Sequence, residues 1–324
     1  MKIESLLEKI TEIPEKNTLQ VNSIDGFNNY CIGLDSENRI SFLISFSDLS
    51  SEDYISPYNG NNLYINFNFN GKVKVGKDLK KENFILLQLK NDEDNFLKIF
   101  LNICETIILK LGASPKYKNS RDYIFSLKDL FLKFNNQPTK TEIGLWGELA
   151  TIYFSNNSES LIKSWHVSGK EIFDFNFEML KIEVKTTKKT VRTHNLKHTQ
   201  FIRLKKLKGV YLSYLLLETD NGKSCIELSD LILAELNSNT REMFIEKLIE
   251  CVGNSLENFN HRFDLNYSEI NLAAYSSEDI DYIEEKSLSS NISNINYDLN
   301  FEPFEKIKEQ TNNDLFNLLP QLSH

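Results

Sequence analysis

The stretch from Ile172 to Thr187 limits what this chain can fold into more than any other. Two short runs, IFDFNF and LKIEVKT, have the apolar, β-rich composition of buried strands, and only Glu178 and Met179 separate them. That spacing predicts a hairpin. Charge intrudes on both strands, as Asp174 in the first and as Glu183 and Lys185 in the second. Strand side chains alternate, so Glu183 and Lys185 share a face, and the hairpin brings Asp174 beside them. Charges on an otherwise buried strand are costly unless they meet a cation or one another. The competing reading is a plain ion pair between Glu183 and Lys185 on an edge strand.

Two carboxylates converging at a strand end form a hard, oxygen-rich site suited to Mg²⁺ or Mn²⁺. Such an ion holds a phosphate and lowers the pKa of a bound water, while Lys185 orients that water or stabilises developing negative charge. The spacing by itself is a weak signal in a chain with 46 acidic residues. Its apolar surroundings give it weight.

The formal net charge of −9 argues against a nucleic-acid partner until its distribution is read. Between Leu180 and Lys208 ten bases (Lys181, Lys185, Lys188, Lys189, Arg192, Lys197, Arg203, Lys205, Lys206 and Lys208) stand against Glu183 alone. That segment carries +9, which leaves −18 on the rest. A local reversal of this size is the footprint of a surface that meets phosphates. The DNA-contacting candidates are Lys188, Lys189, Lys205, Lys206 and Lys208, with a solvated lysine-rich face as the alternative. Arg192 and His194 alternate in VRTHN and share a side, so both are further candidates for a phosphate contact, a structural or solvated role being equally open.

Along the chain, residues 1–16 read as a short helix, followed by a hairpin of NYCIGLD and ISFLISF, further strands at LYINFNF and NFILLQL, and a helix DNFLKIFLNICETIILKLG ending at Gly112. SPKYKNSRDY reads as polar and turn-rich, and SLKDLFLKFNN as a helix that the Pro138 break stops. This divides the chain into a β-rich N-terminal domain, residues 1–136, and a second domain, residues 137–324. In the latter, EIGLWGELATIYF has a broad apolar helical stripe, with Glu148 pointing inward or along its edge. LIKSWHV reads as a strand, HTQFIRLKKLK as a basic-faced helix, VYLSYLLLET as a central strand, REMFIEKLIECVG as a helix, FDLNYSEINLAAYSS and NINYDLNF as strand-like, and NDLFNLLPQL as amphipathic. No apolar stretch is long enough to span a bilayer and the start is amphipathic, so a cytoplasmic protein without a membrane partner is expected. Cys31, Cys104, Cys225 and Cys251 stand far apart, which argues against a zinc knuckle or a disulfide framework and for reduced core residues. His166, beside Trp165, reads as a packing histidine, and the abundant Phe and Tyr as core.

From GLWGELA through IFDFNF, IEVKTT and RTHNLKHTQ to ELSDLIL, the chain resembles the PD-(D/E)XK nuclease superfamily, and more narrowly the PD-(D/E)XK motif proteins of bacterial restriction and phage-defence islands. The resemblance implies an α/β, restriction-endonuclease-like core, a mixed sheet flanked by helices. It makes Asp174, Glu183 and Lys185 the catalytic residues and places the Val184 carbonyl in the metal sphere, with Phe173 where the motif's literal Pro would stand. It gives Glu148 a place near the metal, reached directly, through water or through Lys185, and it sets Gln200 close to the centre. The expected function is divalent-metal-dependent cleavage of DNA, RNA remaining open, in restriction or defence, with a homodimer and other defence proteins as candidate partners. A catalytically silent DNA-binding or assembly subunit and a protein-interaction scaffold are the rival expectations.

Overall fold

The computed structural model describes residues 3–10, 14–16, 18–46, 55–75, 78–91, 93–167, 172–202, 207–284, 287, 289 and 291–307. The chain divides into two compact units, Met1–Gln137 and Pro138–His324.

The first unit starts with helix α1 (Glu4–Leu7), shorter than the sequence implies, and continues through strands β1 (Thr18–Ile24), β2 (Phe27–Leu34), β3 (Ile40–Phe46), β4 (Tyr58–Asn59), β5 (Leu63–Val75) and β6 (Asp78–Leu89). These strands lie in the order β1-β2-β3-β6-β5-β4, and β1 also pairs in parallel with the second half of β5. The sheet therefore closes on itself into a five-stranded barrel. A register shift between Asn66 and Phe69 lets β5 serve β4 with its first half and β1 with its second. Alternation assigns the two faces. Leu19, Val21, Cys31, Leu43, Val73, Phe84 and Leu86 fill one cluster, against which Tyr64, Phe69 and Val75 pack half-buried. Leu63, Ile65 and Phe67 point the other way and are buried. Two helices complete the unit, α2 (Asp94–Leu111) and α3 (Tyr117–Lys133). The first buries Phe96, Ile99, Phe100, Ile103, Ile107 and Ile108 at helical spacing and stops at Gly112, whose φ of 72° suits glycine and whose N–H bonds Ile108 O at 2.8 Å. The second begins inside the polar stretch that reads as turns, with buried Tyr117 and Ser120 fixing its first turn.

The second unit opens with α4 (Glu142–Phe154), capped by the Thr141 side chain, and α5 (Ser158–Ser164), capped by Asn157. Of the strand expected at LIKSWHV, Leu161–Ser164 instead ends α5, since the Asn157 cap and the burial of Leu161 and Ile162 favour helical period over alternation, while Trp165 is extended and bridges antiparallel to Phe175. Strand β7 (Phe175–Asn176) and β8 (Leu180–Thr187) form the expected hairpin, closed by the Phe177 N–H on Leu180 O at 2.9 Å. Next come β9 (Thr193–Lys197), α6 (His198–Ile202), β10 (Lys208–Leu215), β11 (Glu218–Lys223), α7 (Cys225–Glu235), α8 (Ser238–Val252), a 3-10 turn (Gly253–Asn258), α9 (Leu265–Ile270), β12 (Ala273–Ser276) and β13 (Asn296–Asn300). The long basic-faced helix is therefore only five described residues, and NYSEI, which reads as strand-like, is α9. Arg203, Lys205 and Lys206, like the amphipathic stretch NDLFNLLPQL, lie outside the described residues.

The sheet of this unit runs β12-β10-β8-β7, with β8 and β10 parallel and both outer pairings antiparallel. It is a mixed sheet flanked by helices, with β10 at its centre and buried along nearly its whole length. One face of β8 receives α4 at close range: a Cβ on Gly147 would stand 2.3 Å from Thr186 Cγ2, so only glycine permits the approach. On the opposite face a separate ribbon, β9 paired antiparallel with β13, covers an aromatic cluster of Tyr211, Tyr275, Phe201 and Phe301. All four cysteines are free and buried. Among the described residues no helix is long and apolar enough to cross a membrane.

Candidate active site

Strand β8 carries the site. Because Val184 and Thr186 face α4, the alternation sends Glu183 and Lys185 to the other face, beside Tyr211 and Ser213, their register partners on β10. Phe175 pairs with Ile182, and one further step sets Asp174 opposite Glu183. Strand β7 stops there, and the free edge of β8 is taken by a side chain: Val184 N donates to Asp174 Oδ2 at 2.9 Å. An extended residue sends its N–H and C=O to the same side, so the Val184 carbonyl faces the edge where Asp174 lies.

Five charged groups gather around this edge. Lys185 Nζ lies 2.7 Å from Glu183 Oε1. Lys140 Nζ lies 2.6 Å from Asp174 Oδ1 and 2.7 Å from Glu148 Oε1, and Trp165 Nε1 donates to Glu148 Oε2 at 2.6 Å. Glu148 accordingly joins the cluster through Lys140. Of the routes expected for Glu148, direct, through water or through Lys185, the side-chain contact seen is with Lys140, while the Lys185 ammonium pairs with Glu183. Lys140 is the participant that the sequence did not disclose. It stands just ahead of the α4 cap, in a segment pinned to the end of α8 by Thr139 N and Lys140 N donating to Cys251 O.

Three carboxylates against two ammonium groups leave a surplus negative charge in a nearly dry site. Burial and the neighbouring Asp174 push the Glu183 carboxyl up to about 7, against the pull of Lys185 and a hydrogen bond from Gln200. Burial and Asp174 likewise push Glu148 well above the usual carboxylate range, opposed by Lys140 and Trp165. Burial alone would lower the two lysines, but the carboxylates beside them hold both above the ordinary lysine range. A cation relieves the mutual repulsion of such acids. Among the described residues no three His, Cys, Asp or Glu side chains form a ready-made metal cage. The donors on offer are Asp174, Glu183 and the Val184 carbonyl. That set fits a hard ion such as Mg²⁺, which keeps several waters and takes one or two carboxylates from protein.

Gln200 is buried, accepts from Lys197 N at 3.0 Å and donates to Ile172 O at 3.2 Å, so its amide ties α6 to the approach of β7 and steadies Glu183. Arg192 and His194 do share a side, but it is the inward one. Arg192, 4% exposed, donates to Ser213 O at 2.8 Å and to Asn271 O. His194, also 4% exposed, bonds Ser213 Oγ through Nε2 at 2.7 Å and meets the Phe301 ring edge-on. Burial, with Lys185 and Arg192 nearby, lowers the His194 pKa to about 4. Their expected phosphate contacts are corrected: both brace β9 against β10, because β13 covers that side. Lys188, Lys189 and Lys208 are exposed, and Lys188 pairs with Glu218 at 3.0 Å. His166 gives its main-chain N–H to Asp174 O at 2.8 Å, which helps hold the site's entry strand.

A family model described as "Putative PD-(D/E)XK family member (DUF4420)" matches residues 5–302, most of the chain. No curated protein and no solved structure matches it.

Proposed function

Because the chain belongs to the DUF4420 family of PD-(D/E)XK proteins, we propose that it is a divalent-metal-dependent endonuclease hydrolysing DNA phosphodiester bonds. The observation that carries this reading is the convergence of Asp174, the Val184 main chain and the Glu183–Lys185 pair at the open edge of β8. Asp174, Glu183 and the Val184 carbonyl would hold Mg²⁺ or Mn²⁺, which supplies charge neutralisation at the phosphate and an acidified water. Lys185 stays protonated beside Glu183, so it offers a fixed positive charge and hydrogen-bond donors to a phosphate oxygen or an attacking water. Lys140 and Trp165 hold Glu148, and through Lys140 they hold Asp174 in the rotamer that bonds Val184. Exposed Lys188, Lys189 and Lys208 would meet the DNA backbone.

Restriction or phage defence is the setting we propose from the family resemblance, and cutting both strands favours two copies acting together. Plasmid and phage DNA incubated with the protein in Mg²⁺ or Mn²⁺, beside a Lys185→Ala control, tests the reading. Nicking or linearisation that depends on metal and disappears in the control is expected. Intact DNA under every metal condition would overturn it.

A further inference from the structure

We propose that the mouth of the N-terminal barrel is a binding site for a nucleobase. A cavity of about 550 Å³ opens there, within the size range of small-ligand sites and at one of their favoured places. Its floor is the apolar barrel core, reached at Leu19 and Leu86. Its walls include Tyr64 and Phe69, two rings that pack against that core yet stay half-buried, so each keeps surface on the cavity. The Phe69 ring lies across Gly71, where a Cβ would stand 2.2 Å from Cζ, so glycine is what lets it take this position.

The polar group at the floor is unusual. Gln88, 6% exposed, lines the cavity and donates through Nε2 to Asp35 Oδ2 at 2.9 Å and to Ser41 Oγ at 3.0 Å. A carboxylate only accepts, so the amide nitrogen must face Asp35, and both of its hydrogens are used. Asp35 itself is fixed by Arg39, with Nη2 2.6 Å from Oδ2, and by the main-chain N–H groups of Glu37 and Arg39 on Oδ1. Gln88 Oε1 is left with no partner among the described residues. A carbonyl oxygen fixed in place by its own amide's two bonds, and facing the cavity rather than a protein donor, can take a hydrogen bond from a ligand.

The ligand that suits these features is planar, stacks on aromatic rings and carries an N–H donor on its edge. An amino-bearing nucleobase has all three properties. Asn66 and Asn70 offer amides along the wall, and Lys16 and Lys90 stand exposed at the rim, where a phosphate would emerge. Choosing a nucleobase over other planar amides rests on the nuclease reading. The base can come from an unstacked nucleotide of a DNA strand or from a free nucleotide.

The test is titration of the full chain, without divalent metal, with dAMP, dCMP, a single-stranded oligonucleotide and deoxyribose 5-phosphate. It is followed by calorimetry and by the Gln88 side-chain amide resonances. Nucleotides or the oligonucleotide should move those resonances, and the base-free sugar phosphate should not. Tyr64→Leu, which keeps the contact with the barrel core, should weaken binding about tenfold by removing the stacking ring. Much tighter binding of the oligonucleotide points to a strand, and comparable affinities point to free nucleotide. Unmoved Gln88 resonances at millimolar nucleotide, or equal binding of the sugar phosphate, would overturn the proposal. Because cleavage is not the readout, the pocket can fail while metal-dependent cleavage survives, and the reverse.

Discussion

Lys140→Met should destabilise the second unit strongly, and by an amount that grows with pH. In the native protein Lys140 lies within 2.7 Å of two carboxylates, Glu148 and Asp174, whose side chains are only 4% and 13% exposed. Removing the ammonium leaves both acids largely buried, with little water to take its place. Breaking a buried pair from one side costs roughly 3–5 kcal/mol, and Glu148, held far above the usual carboxylate range even with Lys140 present, is placed to suffer the larger share. A carboxyl whose folded pKa lies above its unfolded value loses stability as pH rises from the unfolded value toward the folded one. Removal of Lys140 raises the folded value further, so the variant's deficit should be small near pH 5 and large near pH 8. Urea unfolding at both pH values reads it, and the fluorescence is selective because both tryptophans, Trp146 and Trp165, belong to the second unit. Lys140→Met with Glu148→Gln should recover much of the loss, since the second change removes the stranded charge. A deficit independent of pH and unrelieved by Glu148→Gln would refute the electrostatic argument and reduce Lys140 to a packing residue.

Three further outcomes follow from the same geometry. Gly147→Ala should cost roughly 1–3 kcal/mol, because its Cβ would stand 2.3 Å from Thr186 and α4 must lift from β8; urea midpoints give the value, and an unchanged midpoint contradicts the close approach. Since protonated Glu183 cannot serve a cation, Mn²⁺ affinity measured by calorimetry should weaken about tenfold per pH unit below about 7, and a flat profile would remove Glu183 from the ligand set. Replacing exposed Lys189 and Lys208 with Gln should lower the slope of log affinity for duplex DNA against log salt by up to about 1.8 with little change in sequence preference, and an unchanged slope means that these lysines do not meet phosphates.

What the sequence discloses of the site depends on whether the informative contact is local. Asp174, Glu183 and Lys185 are legible because charge interrupts apolar strand patterns and a two-residue turn ties the strands together. Lys140 is not legible, because it lies in a polar break 34 residues before Asp174 and is set in place by main-chain bonds to Cys251 on α8. Arg192 and His194 show the same limit. Alternation correctly puts them on one side, but it carries no information about what covers that side, and the cover comes from β13, a hundred residues later. The α5 segment misleads because Leu161, Ile162 and Trp165 satisfy either period over so short a span, and the deciding Asn157 cap precedes the apolar residues. The barrel closure of the first unit is likewise invisible in local pattern, since the β1–β5 seam joins residues more than fifty positions apart.

Cleavage by Asp174→Asn, compared with the native protein at matched occupancy of the same DNA in Mg²⁺ or Mn²⁺, tests the central claim most directly. The substitution keeps the shape that accepts the Val184 N–H while removing the charge that a metal requires. Loss of cleavage with DNA binding intact or stronger is the predicted result, since one negative charge facing phosphate is gone. Cleavage undiminished in Asp174→Asn would contradict the account and show that the edge of β8 is not where DNA is cut.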